Sequence, residues 1–290
     1  MREKLHHKNI SYIKEIFLEY KSVYSQKDLY NLLFELKEKK LVAQNLTSID
    51  FFTFLQESLS IKTYSVYSEK IKKERYSIKE LDNYQLSNSF EKDSFFSMTT
   101  ALNIQGLSSF MNNFIFYSKE LTPKYNPFLE DKVLKQIDID NAYSKPYRKT
   151  KNIAEYKNNY FIYLTPKHTS QAGVIKYGGY YVSSINRVLI EMIINVQYFK
   201  SYKTVIDCFQ PISNKLEPNE IYKILKEFDL IYPYFQLFGF TLEKLGFKKD
   251  ELKIFKEQTK SLIFYTQKFN NINNTSNNNT YWNIKEFIEF

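Results

Sequence analysis

The chain reads as an α+β protein, with a helical unit closed by a β-hairpin preceding a larger mixed region. Three observations predict this. The first 80 or so residues hold three amphipathic helical runs, then two short segments of partly alternating polarity. The remainder interleaves short β-branched and aromatic runs with helical runs that have recognisable starts and stops. Six glycines and seven prolines are few for 290 residues, so regular elements with short connections dominate.

The helices come first. Ile10, Ile13, Ile16, Phe17 and Tyr20 recur at helical spacing. Ser25 is placed to cap a second helix, with Leu29, Leu32, Leu33 and Leu36 on its apolar face. Lys37, Lys39 and Lys40 sit in its last turn, where cations suit the dipole. Ser48 is placed to cap a third, from Ile49 to about Glu57. A strand is expected over Ser60 to Ser68, a charged turn over Glu69 to Lys73, and a return strand over Glu74 to Ile78. Three helices and a hairpin in that order are the elements of a winged helix. Residues 1–85 are thus expected to form one domain and residues 86–290 a second.

A winged helix would place its third helix in the major groove of DNA. Here that helix carries no Lys or Arg. Gln56 could read an adenine edge and Thr53 a thymine methyl, while Asp50 and Glu57 would oppose phosphates. The cations lie elsewhere: Arg2, Lys4 and Lys8 before the first helix, and Lys70, Lys72, Lys73 and Arg75 on the wing. These wing residues are the candidates for phosphate contact, which gives salt-sensitive affinity. Residues 1–85 hold 15 Lys and Arg against 12 Asp and Glu, so the excess is modest.

Beyond a junction at Tyr84 to Asn88, Ser97 is placed to cap a short helix that Gly106 ends. Strands are expected over Phe114 to Tyr117, Val133 to Ile139, Tyr160 to Leu164, Val174 to Tyr177 and Tyr180 to Val182, with a hairpin turn at Gly178-Gly179. Lys145 to Lys151 is a basic loop. Ser183 or Ser184 can cap a helix whose apolar face holds Val188, Leu189, Met192, Ile193 and Val196. Helical runs follow over Thr204 to Phe209 and Pro218 to Phe228, with Pro218 suited to a first helical position. Another holds Phe235, Phe238, Leu242 and Leu245, with Gly246 as its stop. A late strand is expected over Leu262 to Tyr265, an asparagine-rich loop over Asn270 to Asn279, and a closing segment anchored by Trp282 and Phe287.

Composition excludes several classes. One cysteine, Cys208, allows no internal disulfide, fits a reducing compartment, and reads as a buried inert thiol. The apolar run Val188 to Val196 is too short to span a bilayer, and no secretion signal follows Met1, so the cytoplasm is expected. A formal charge of +9 permits an acidic partner without demanding one. His6, His7 and His168 form no metal spacing with Cys208, and no phosphate-binding loop or nucleophile elbow is present. No cofactor is expected.

Arg187 and Glu191 stand four apart on one helix face. Spacing alone favours a solvated bridge worth a few tenths of a kcal/mol. The alternatives are a pair presented to a partner or buried against the strands.

These residues also carry a resemblance. Tyr181-Val182-Ser183, Arg187 with Glu191, and Tyr232-Pro233-Tyr234-Phe235-Gln236-Leu237-Phe238-Gly239-Phe240-Thr241-Leu242-Glu243 resemble the C-terminal domain of AbiEi-type antitoxins. That family's Glu-Arg-Thr-Leu-Ile-Asp has Asn186, Val188 and Glu191 here at its first, third and last positions. The segment Ser97 to Leu107 is similar to the family's Ser-His-x-x-Ala-Leu-x-x-His-Gly-Leu, with Met98 and Gln105 at the histidine positions. The resemblance implies an N-terminal winged helix and a mixed α+β antitoxin domain. It further implies a non-enzymatic protein that represses its own operon's promoter and antagonises an AbiEii-type nucleotidyltransferase toxin, without a tight complex. Ser97, Arg187, Glu191, Tyr234, Gln236 and Glu243 are the positions it marks for antitoxin function.

The other reading is a metal-dependent nuclease. Asp138 or Asp140 at a strand end, with Glu155-Tyr156-Lys157 before another strand, has the residue types that hold Mg²⁺ and steady an attacking water.

Overall fold

A computed structural model describes residues 4–68, 72–108, 113–121, 133–268 and 275–287. The architecture is α+β, as expected. The chain divides into two compact units, residues 1–92 with 153–161, and residues 93–152 with 162–290. The first unit therefore extends past the expected boundary at residue 85 and takes in a later strand.

In the first unit, helices α1 (Leu5–Lys8), α2 (Ile10–Tyr20), α3 (Gln26–Glu38) and α4 (Ser48–Leu59) precede strands β1 (Lys62–Ser68) and β2 (Lys72–Ser77). Ser25 does cap α3, in a reciprocal capping box with Asp28. The cap of α4 is Thr47, one residue before the expected Ser48, and that helix ends at Ser60 in left-handed backbone. Ile13, Phe17, Leu29, Leu32, Leu36, Phe51 and Leu55 bury one shared core. Each large side chain so buried contributes roughly 1.5–3 kcal/mol. Tyr24 joins helices to hairpin: its hydroxyl donates to the Phe17 carbonyl at 2.6 Å and its backbone bridges Tyr76. The expected junction at Tyr84 to Asn88 forms most of helix α5 (Asn83–Asn88), capped by Asp82. On its other edge β1 pairs with a strand from later in the chain, Ile153–Tyr156.

The second unit begins with β3 (Phe95–Phe96), α6 (Met98–Ile104), β4 (Phe114–Ser118) and α7 (Gln136–Tyr143). The strand expected over Val133 to Ile139 is instead the start of α7, where Asp138 accepts the Lys135 N–H at 3.0 Å and stabilises the first turn. Counting Ile153–Tyr156 as β5, there follow β6 (Asn159–Leu164), β7 (Val174–Tyr177), β8 (Tyr180–Ser183) and α8 (Ile185–Ile194). β3 runs antiparallel to β4 and parallel to β8, and β8 antiparallel to β7. Gly178 and Gly179 make the tight β7–β8 turn with φ of 55° and 86°.

Helices α9 (Tyr202–Phe209), α10 (Pro218–Phe228), α11 (Tyr234–Lys244) and α12 (Lys253–Glu257) come next. α10 has Pro218 in its first turn and buries Ile221, Ile224, Leu225 and Phe228 on one face. Strands β9 (Phe264–Tyr265), β10 (Ser276–Asn279) and β11 (Ile284–Phe287) close the unit as a small sheet ordered β10-β11-β9. Part of the asparagine-rich tract is thus a strand.

Candidate functional site: a buried ion pair under a basic cleft

The site is built on the turn from β8 into α8. Ser184 is the N-cap, its hydroxyl accepting the Arg187 N–H at 3.3 Å. That start fixes Arg187 in the first turn and Glu191 one turn later on the same face. The pair is not the solvated bridge that spacing favoured. The Arg187 side chain is 1% exposed and that of Glu191 10%, with Nε to Oε1 at 2.7 Å.

Each member has further partners. Glu191 Oε1 also accepts from the Ser183 hydroxyl at 2.9 Å, and Oε2 from the Met98 N–H at 3.1 Å. The guanidinium donates to the Ala172 carbonyl at 2.6 Å and more weakly to Thr169 Oγ1 at 3.4 Å. Its carbon lies 4.8 Å from the Phe95 ring centre and 5.1 Å from that of Phe228, within cation–π range. Gly173 makes room: a Cβ there would stand 3.0 Å from Arg187 Cβ and 2.7 Å from Ile224, with φ at +74°.

Ser97 occupies the N-cap position of α6, but its hydroxyl does not cap that helix. It faces the Ser118 hydroxyl at 2.8 Å, both side chains being buried. The carboxylate of Glu191, 93 residues further on, takes the Met98 N–H instead. The long-range acid thus replaces the expected serine cap.

Above this network lies a cleft of about 460 Å³. Ser97, Ser118, Thr169, Arg187 and Glu191 line its buried end. Its exposed lining carries Arg148, Lys149 and Lys167, and Leu164, Ile194 and Tyr198 add apolar wall. The basic loop is tied to that wall, since the Thr150 N–H donates to the Tyr198 hydroxyl at 2.7 Å. The loop's positive potential is felt nearby: partial burial, Arg148 and Lys145 together hold the Lys268 ammonium below its usual pKa. Thr169 is held from behind, where Glu120 accepts its hydroxyl and N–H and the N–H groups of Ser170 and Gln171, at 2.6–3.0 Å.

Tyr234, Gln236 and Glu243 belong to a different place. They lie along α11 and fasten it to the closing sheet. Gln236 donates to the carbonyls of Leu262 and Asn283 and accepts the Lys260 N–H. Glu243 accepts the Trp282 indole N–H at 2.5 Å. Tyr234 packs edge-on against Phe264 at 5.2 Å between ring centres, and burial pushes its phenol up to about 12. Gly239 is needed because a Cβ there would lie 2.3 Å from the Trp282 ring.

In the first unit, Thr53 and Gln56 are exposed on α4, with the Thr53 hydroxyl turned back to the Ile49 carbonyl. Lys70 and the tip of the hairpin lie outside the described residues. Lys72 and Lys73 sit in β2 rather than in the turn. They reach Glu74 at 2.6 Å and Glu91 at 4.0 Å. Arg75 bonds the Ser89 carbonyl at 3.2 Å and lies 4.4 Å over the Phe90 ring.

Asp138 and Asp140 are helical, and Asp140 accepts from Tyr265 and Gln136. Glu155 is exposed on β5. Among the described residues, no group of three or more His, Cys, Asp and Glu could hold a metal ion. Cys208 is partly exposed, and burial raises its thiol pKa, which reduces its nucleophilicity. No helix among the described residues is long and apolar enough to cross a membrane.

Neither a family model nor a curated protein matches the chain. Among solved structures it is similar to the crystal structure of the RV2827C protein from Mycobacterium tuberculosis. The TM-score is 0.55 at 9% identity, over 98% of this chain and 92% of that one. The likeness is one of fold.

Proposed function

We propose that the chain is an antitoxin and transcriptional autorepressor of a bacterial toxin–antitoxin or abortive phage-infection system, of the AbiEi type. One observation carries the reading. Ser97, Arg187 and Glu191, which the motif resemblance marked from two distant segments, meet at the buried end of one cleft. The pair and its partners set the shape of that cleft, and the exposed residues around it would meet the partner.

On this reading the first unit is a winged helix that binds promoter DNA of its own operon, and the protein works in the cytoplasm without catalysing a reaction. Its functional antagonist is an AbiEii-type nucleotidyltransferase toxin. The order of helices and hairpin in the first unit supports the DNA-binding half. Lys72 and Lys73 are paired at the surface, where solvent screening keeps such bridges weak, so phosphates can displace the acids.

The test of that half is titration of the chain onto its own promoter at several salt concentrations. Changing Lys70, Lys72, Lys73 and Arg75 to Ala should weaken binding and flatten its salt dependence. An unchanged salt slope would move the contact away from the hairpin. The antitoxin half is tested by growth rescue from the toxin encoded beside it.

A further inference from the structure

We infer that the cleft above Arg187 and Glu191 binds a nucleoside phosphate. Its size is the first argument. About 460 Å³ falls within the range of small-molecule sites, and it suits a mononucleotide rather than a duplex.

Its charge is the second. Arg148, Lys149 and Lys167 are exposed along it, and none pairs with a carboxylate among the described residues. Lys149 rests over the Tyr198 ring, with Nζ 5.9 Å from the ring centre, a contact a phosphate would outcompete. The acid in the lining, Glu191, already accepts from the Arg187 guanidinium, the Ser183 hydroxyl and the Met98 N–H. Its charge is offset by the arginine at 2.7 Å, so a bound phosphate meets net positive potential from the basic residues.

Its chemistry is the third. The buried end presents the hydroxyls of Ser97 and Ser118, which bond each other but can still meet a ribose hydroxyl, and that of Thr169, which donates to Glu120 and so can only accept. Leu164, Ile194 and Tyr198 offer apolar surface for a base. Cations, hydroxyls and apolar side chains in one cleft are the three kinds of group that phosphate, ribose and base would contact. The inference does not rest on the antitoxin reading. A chain that binds nucleotide yet fails to restore growth would keep this site and lose that reading.

The experiment is calorimetric titration of the full chain with ATP, AMP, adenosine, inorganic phosphate and a single-stranded oligonucleotide. ATP and AMP should bind saturably, with adenosine weaker by about tenfold or more, since it lacks the phosphate. Lys149→Glu with Lys167→Glu should weaken ATP by at least about tenfold with unchanged melting, and Lys203→Glu, on an exposed face of α9, should leave it unaltered. No heat from ATP or AMP up to about 1 mM would overturn the inference. So would ATP binding unaffected by the double reversal, or binding of the oligonucleotide alone.

Discussion

Replacing Glu191 by Ala should unfold the second unit far more easily than the i,i+4 spacing implies. The substitution leaves the Arg187 guanidinium 1% exposed with its charge unpaired, and removes the acceptor of the Ser183 hydroxyl and the Met98 N–H. Removing one member of a buried pair costs about 3–5 kcal/mol. The arginine keeps the Ala172 carbonyl and the two phenyl rings, so the middle of that range is expected, about 4 kcal/mol. Against a typical total of about 5–15 kcal/mol this is a large fraction. For a unit of this size it corresponds to a fall in Tm of roughly 8–16 °C.

The chain carries its own control. Lys203 and Asp207 have the same spacing on α9, but their side chains are 74% and 60% exposed. Lys203→Ala should cost less than about 1 kcal/mol. Thermal unfolding followed by circular dichroism reads both. A third variant, Arg187→Met with Glu191→Leu, leaves no buried charge and should recover part of the loss. The reasoning is refuted if Glu191→Ala melts within about 3 °C of the parent, since that is the size of a surface bridge.

Two further outcomes follow from the same structure. Gly239→Ala places a methyl 2.3 Å from the Trp282 ring, and overpacking of this kind costs about 1–3 kcal/mol. Trp282 is the sole tryptophan, so its emission should shift to the red as the indole leaves Glu243; an unshifted spectrum would mean the ring does not pack there. Glu120→Gln should cost about 2 kcal/mol at neutral pH, by weakening charge-assisted bonds to residues 169–171. Partial burial opposes ionisation of Glu120, but the Thr169 hydroxyl and three backbone N–H groups outweigh it and hold its pKa below the usual carboxylate range. Its contribution is therefore complete above the unfolded value near 4.3 and fades as pH falls through the lower folded value. Urea melts should show the parent's advantage shrinking below about pH 4, and an advantage constant with pH would contradict the assignment.

The elements legible in the sequence are those with local chemistry. Ser25, the Ser183-Ser184 pair, Pro218 and Gly178-Gly179 each act within a few residues of themselves, and the helices and turn they mark are present. β3 is Phe95-Phe96, buried at both positions, and β5 is Ile153-Ala154-Glu155-Tyr156, with three apolar side chains of four, so neither shows an alternation. The run Val133 to Ile139 alternates in part, yet the Asp138 cap favours helix, and α7 packs Ile139 into the core.

The site was half legible. Four-residue spacing placed Arg187 opposite Glu191 but could not report burial. That depends on Phe95, Met98, Thr169, Ala172 and Phe228, which arrive from separate segments. The basic loop at 145–151 was visible as charge, but not its position on the cleft. Tyr234, Gln236 and Glu243 were marked by the resemblance alone, and the contacts they make, three by Gln236, join segments distant in sequence.

Growth rescue tests the central claim most directly. On the proposed antitoxin function, cells producing the nucleotidyltransferase toxin that this chain is proposed to antagonise should stop dividing, and co-production of the intact chain should restore their growth. The parent and Lys203→Ala should rescue equally, while Glu191→Ala should fail at temperatures above its lowered Tm. Persistent arrest in the presence of folded, abundant parent chain would contradict the antitoxin account.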